Sequence, residues 1–163
     1  MQLDYTINQA VAILGQIADS SKIKDVESYK NPAAAVFYGR VVTRGAASDE
    51  VVHPAAGAGI TDEKLVRGIV VAAHEVESKQ DGAAPSYAQN SVVPVMRKGR
   101  IWVNAITAVT EGTSTVNVYF QGAGPIGGLR ATADASDTAV LPKSKWKSST
   151  TGANQLALLE IDL

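Results

Sequence analysis

Residues 122–127 read Gly122-Ala123-Gly124-Pro125-Ile126-Gly127, a literal G-x-G-x-x-G behind a strand-like run. In a dinucleotide site that spacing brings free backbone amides against a pyrophosphate at the start of a helix. Here Pro125 has no amide to offer, and the residues after Gly128 open no apolar helical pattern. A glycine-rich turn is the expectation, and no Walker A pattern stands elsewhere. His53 and His74 are the two histidines. A zinc-protease pair needs a second histidine four residues on, and His74-Glu75-Val76-Glu77-Ser78 lacks it. His53 precedes Pro54, where a turn is expected. Asp81, Asp134 and Asp137 have no spacing that fixes a separation suited to acid–base work, and loop aspartates commonly bond their own backbone. The serines lack a G-x-S-x-G elbow. No Cys is present, so thiolate nucleophiles, disulfides and thiolate zinc sites are excluded. Neither a cofactor nor a metal is expected, and the chain reads as non-enzymatic.

Two basic clusters remain. Lys143-Ser144-Lys145-Trp146-Lys147 interleaves lysines with a tryptophan, which in other settings grips phosphates and stacks a base. The cluster is short, and the chain as a whole carries 15 Lys and Arg against 16 Asp and Glu. Nucleic-acid binders carry a broader basic footprint, so a solvated loop is expected, with Trp146 packed on the domain or on a neighbour. Arg97-Lys98-Gly99-Arg100 reads as a basic turn that could pair with carboxylates of a partner.

The elements that must hold these residues read as β. Val36–Thr43, Lys64–Ala73, Val92–Met96, Arg100–Val109, Thr115–Gln121 and Gln155–Leu163 are rich in β-branched or alternating apolar residues. Arg97-Lys98-Gly99 between two of them reads as a hairpin turn. Pro94 removes an amide and predicts an edge or bulged strand. Turn clusters fall at 46–50, 54–59, 78–86, 122–128 and 143–152, and 61–67 could hold one helical turn with Thr61 as N-cap. Trp102 between Ile101 and Val103 is the expected structural tryptophan, and Trp146 the dispensable one. The fold expected is all-β or mainly β, a compact antiparallel sandwich or barrel with an N-terminal arm.

Residues 1–31 differ from 32–163. They carry Leu3, Tyr5, Ile7, Val11, Ile13, Leu14 and Ile17 without a helical period. A segment this apolar is expected to pack on something: its own domain, a sister subunit or a partner. The run 10–14 is too short for a signal-peptide core or a membrane span.

The block Val-Val-Pro-Val-Met-Arg-Lys-Gly-Arg-Ile-Trp-Val at 92–103 resembles the signature hairpin of tailed-phage structural cement proteins, which are small head decoration proteins. Gly15–Ser20, Phe37–Gly45, Gly68–Val71 and Leu156–Leu163 resemble further pieces of that family in the same order. The arm region and residues 134–147 resemble no named pattern of it. The resemblance implies a β-rich fold, no catalytic residues, self-association with a trimer preferred to a dimer, and a place on the outer surface of the virion capsid at junctions of the major capsid protein. Nucleic acid and membrane are not expected partners. Leu3, Tyr5, Ile7, Arg97, Lys98, Arg100 and Trp146 are the candidate interface residues. A carbohydrate- or receptor-binding β module of a phage fibre or spike is the alternative, with Trp146, Asp134 and Asp137 as its sugar-site candidates. A hydrolase on a β scaffold lacks a nucleophile and a base.

Overall fold

A computed structural model of the chain describes residues 12–18, 24–32, 35–54, 65–72 and 85–163. Leu3, Tyr5, Ile7, His74, Asp81 and the proposed N-cap Thr61 lie outside the described residues.

Among the described residues there are twelve strands and no helix. They are β1 (Asp25–Lys30), β2 (Val36–Phe37), β3 (Val41–Arg44), β4 (Val51–Val52), β5 (Val66–Val70), β6 (Ser86–Tyr87), β7 (Val92–Ala105), β8 (Asn117–Tyr119), β9 (Leu129–Arg130), β10 (Thr138–Val140), β11 (Ser144–Trp146) and β12 (Gln155–Asp162). Ten form one sheet along the path β10-β8-β9-β7-β5-β3-β4, with β1 and β12 added to β7, and β11 to β12. β2 and β6 pair separately. The fold is mainly β and mostly antiparallel, as expected. The path is open, ending at β10 and β4, so it is not a closed barrel.

β7 organises everything else. It is 14 residues long and is paired on both edges: Met96 lies opposite both Val26 and Ile69, and Ile101 opposite both Ile17 and Leu159. The expected hairpin at Arg97-Lys98-Gly99 is therefore not there. The chain runs straight through those residues. Gly99 does take the positive φ the sequence suggested, +129°, but the angle bends a strand instead of reversing it. Beside it, Met96 pairs with Val26 and Lys98 with Asp25, which leaves Arg97 as the extra residue of a β-bulge.

The bulge has a consequence for packing. Val93 and Val95 face one apolar cluster, with Tyr29, Val36, Tyr38, Val42, Val51, Val70 and Tyr87. Met96, Ile101, Val103 and Ala105 face the other, with Trp146, Leu159, Ile161, Val118 and Leu129 among others. A strict two-residue alternation would keep the odd positions on one face. The extra residue and the glycine bend let one strand feed two cores.

Pro94 is also not on an edge. It pairs with Ser28, and its carbonyl accepts from the Val71 amide. The amide it lacks falls on the same side as that carbonyl, just past the end of β5, where no strand residue needs it.

Val36–Thr43 is two strands, interrupted at Gly39 (φ +65°), where a Cβ would meet Leu14 Cδ1 at 2.5 Å. The turn cluster at 143–152 contains β11. Here the sequence misled: Ser144 and Trp146 lie opposite Ile161 and Leu159 and point inward, while Lys145 lies opposite Glu160 and points out. The polar-looking run is a short alternating strand on the rim of the sheet.

The described parts of the N-terminal segment, 12–18 and 24–31, meet the same sheet. β1 pairs with β7 along its length. Earlier, the Gly15 amide donates to the Trp102 carbonyl, the Trp102 amide to the Gln16 carbonyl and the Ala18 amide to the Arg100 carbonyl. Ala12 is buried.

Candidate functional site

The cations singled out in the sequence come together on the outward face of β7, β12 and β11. Arg100 Nε donates to Glu160 Oε2 at 2.8 Å, and Lys145 Nζ approaches Glu160 Oε1 at 3.0 Å, so one carboxylate bridges two strands. Hydrogen bonds from Arg100 and then Lys145 hold the Glu160 carboxyl down at about 2. Lys98 reaches Asp162 at 2.9 Å, and Arg97 reaches Glu27 at 3.4 Å. Cross-strand register makes these partners, since Arg100 lies opposite Glu160 and Lys98 opposite Asp162. The carboxylates anticipated on a partner are thus supplied by this chain. Lys143, Ser144, Lys145, Glu160, Ile161 and Asp162 line a shallow groove of about 330 Å³ here.

Beyond the charged rows the same face turns apolar. Leu158 lies opposite Trp102. Both are half-buried, and Leu156 is exposed. The two tryptophans have exchanged the expected roles. Trp146 is fully buried, and its indole N–H donates to the Thr115 carbonyl at 3.0 Å. It belongs to the core of this chain and offers no surface to a partner or to a sugar.

The glycine-rich turn contains no phosphate cradle. Gly127 N–H donates to Tyr119 O and Gly128 N–H to Pro125 O, both at 2.8 Å, so these amides are already engaged. β9 follows where a dinucleotide site needs a helix. Gly127 is required for a different reason: at φ +76° a Cβ would sit 2.6 Å from the Val41 carbonyl. Asp134 is tied into a staple. It accepts from Tyr119 Oη and Arg130 Nη1, each at 2.6 Å, and these two bonds, the tyrosine's first, lower its pKa. The Asp137 carboxyl packs against Gly122. Asp134 is thus committed to Tyr119 and Arg130.

His53 is enclosed. Its Nε2 accepts from the Phe37 amide at 3.2 Å, and its Nδ1 lies 3.4 Å from the Val41 carbonyl. Both contacts fit the neutral Nδ1–H tautomer. Burial lowers its pKa to about 4, with the Arg40 charge adding to the effect. No group of three potential metal ligands lies together among the described residues.

One feature was missed from the sequence. Arg40 lies over the Phe37 ring, 4.3 Å from its centroid, and Phe37 stacks on His53 at 5.7 Å. The guanidinium edges a groove of about 150 Å³ between the Tyr38–Gly39 turn and the glycine-rich turn. An arginine inside a β-branched and aromatic run, with no acidic residue nearby in sequence, was the signal available.

This geometry defines a class of protein: a mainly-β module with a long central strand whose Arg97, Lys98 and Arg100, with Lys145 of β11, are engaged in cross-strand ion pairs. A family follows from comparison. The model of the structural cement protein family (E217 gp24/Pam3 gp6) matches residues 1–162, and the chain belongs to that phage structural cement family. No curated protein sequence matches it. Among solved structures, a chain in the capsid of Myoviridae phage XM1 superposes with a TM-score of 0.71 at 14% identity, covering 99% of this chain and 98% of that one. The head fibre gp8.5 N base of bacteriophage phi29 aligns at a TM-score of 0.48 and 15% identity, over 85% of this chain and 94% of that one, too distant to carry an argument.

Proposed function

We propose that this cement protein binds the outer surface of a phage capsid and ties neighbouring copies of the major capsid protein together without catalysing a reaction. The observation that carries the reading is the family match over residues 1–162. Two observations support it: Arg97, Lys98 and Arg100 brace the sheet through ion pairs with this chain's own carboxylates, and the chain carries 15 Lys and Arg against 16 Asp and Glu, unlike the strongly basic footprint of nucleic-acid binders. No helix among the described residues is long and apolar enough to cross a membrane. We assign Leu3, Tyr5 and Ile7 to contacts with the shell or a sister subunit, because their apolar surface is stabilised by burial. Arg97, Lys98 and Arg100 then act at the rim of the contact, where charge sets approach and register more than affinity. A trimer is the preferred assembly, since closed symmetry is the usual outcome for identical chains. Weak single contacts suffice when linked sites engage one after another.

The test adds purified protein to cement-free shells of the cognate phage and reads co-sedimentation and shell melting. Binding with a raised shell melting temperature is expected. A variant lacking residues 2–11 should bind more weakly yet fold normally, whereas removing 1–31 would also take away β1. A wild-type protein that ignores shells but binds glycans on an array would replace this reading with the fibre or spike module.

A further inference from the structure

Arg40 differs from the arginines that brace the sheet. Arg97, Arg100 and Arg130 each face a carboxylate of this chain: Glu27, Glu160 and Asp134. No carboxylate of the described residues pairs with Arg40. Among the described residues its side chain donates to the Ile126 carbonyl at 3.3 Å, and a guanidinium has five N–H donors. It is nonetheless half-buried, and burial lowers its pKa. Withdrawing a cation from water is costly unless a counter-charge is supplied. Among the described residues none supplies one, and the neighbouring His53 ring is held neutral.

The groove beside it is otherwise apolar or uncharged, with Leu14, Phe37, Pro85, Ile106 and Pro125 among its lining residues. Its walls are fixed. Gly39 carries φ +65° against Leu14, and the Val41 amide donates to the Gly127 carbonyl at 2.8 Å, binding the two turns together. The cation–π contact with Phe37, 4.3 Å from guanidinium carbon to ring centre, restrains the position of the guanidinium. A pre-positioned arginine in an apolar recess has the composition of an interface hot spot. A single cation in an apolar recess does not have that of a nucleic-acid track, which needs a broad basic surface.

We propose that this groove receives a carboxylate-bearing segment of the major capsid protein, with Arg40 binding the carboxylate and the apolar walls taking the residues beside it. The inference rests on the capsid reading above and names one contact within it. The fork of the guanidinium suits a two-pronged carboxylate contact.

Arg40→Met keeps the aliphatic stem over Phe37 and removes the charge. It should melt like wild type and bind cement-free shells at least about tenfold more weakly. Arg40→Glu should abolish binding, and the salt dependence of binding should shrink in Arg40→Met. Arginine footprinting with a dicarbonyl reagent, read by mass spectrometry on the wild-type protein, checks the same contact without a mutation. Arg40 should react in free protein and be protected on shells. Wild-type affinity in Arg40→Met, or an Arg40 that stays reactive on shells, would overturn the assignment. Loss of self-association in light scattering with shell binding intact would make the occupant a second copy and overturn it too. If wild-type protein fails to bind shells at all, the capsid reading itself fails, a result distinct from the other three.

Discussion

Trp146→Ala should be among the most damaging single substitutions in the chain. The indole is fully buried among the residues of the larger core, and it satisfies the Thr115 carbonyl. Truncating a buried tryptophan costs about 3–5 kcal/mol. An orphaned carbonyl adds roughly 1 kcal/mol. Against a total stability of about 5–15 kcal/mol, the variant is either unfolded or lowered in melting temperature by roughly 8–20 °C. Trp102 is half-buried on the outward face beside Leu158. Its truncation removes only part of a tryptophan's burial and should cost about 1–2 kcal/mol. Trp146→Phe separates the two terms, keeping most of the apolar volume and losing the N–H. Urea denaturation at one fixed protein concentration, followed by near-UV circular dichroism, gives all three values. A larger loss in Trp102→Ala than in Trp146→Ala would refute the placement of Trp146 in the core.

Two further outcomes follow from the geometry. His53 is neutral in the fold with a pKa of about 4, while the unfolded chain takes up its proton near 6.5. The unfolded state therefore binds the proton first on acidification. The contribution is fully present above pH 6.5 and is lost as pH falls from there to about 4, with an upper bound of about 3 kcal/mol. Denaturant midpoints should fall across that window and fall less in His53→Phe; equal slopes in the two proteins would exclude His53 as the cause. Gly68 sits in β5 at φ +142°, where a Cβ would lie 2.1 Å from the Met96 carbonyl. Gly68→Ala should cost about 2–5 kcal/mol from crowding and strain combined, and an unchanged urea midpoint would show that the β5–β7 approach is looser than described.

The strands legible in the sequence were those whose inward residues are all apolar and whose outward residues include charges. β12 is the example, with Ala157, Leu159 and Ile161 buried and Glu160 and Asp162 turned out. β7 was legible as strand but not as one strand. Arg97-Lys98-Gly99-Arg100 has the polarity of a turn because its cations point at Glu27, Asp162 and Glu160. Those partners come from strands roughly sixty to seventy residues away, and sequence spacing carries no register between distant strands. β11 failed for a related reason, since lysines on its outer face hide an inward Trp146. Arg40 offered only a faint signal because its distinguishing property needs its neighbours in place: it is a half-buried cation with no carboxylate partner among the described residues.

These placements bear on how the protein can adhere. Arg97, Lys98, Arg100 and Lys145 are paired with carboxylates of this chain, so the charged rows on the outer face of β7, β11 and β12 are engaged from within. Among the described residues, two features bear on contact: a short apolar row at Trp102, Leu158 and Leu156 and the guanidinium of Arg40 beside Phe37. Neither is large enough to make a tight complex alone, because stable interfaces bury on the order of 1,200–2,000 Å². A protein that works as one of many linked copies does not need such an interface, provided its sites are rigidly placed relative to each other. β7 supplies that rigidity. It carries Trp102 and Arg100 on its outer face, and its Val93 and Val95 pack into the core that also holds Tyr38 and Val42, the residues flanking Gly39 and Arg40. The bulge at Arg97 and the bend at Gly99 allow a single strand to join both cores. The apolar row and the arginine groove are thereby held on one continuous framework.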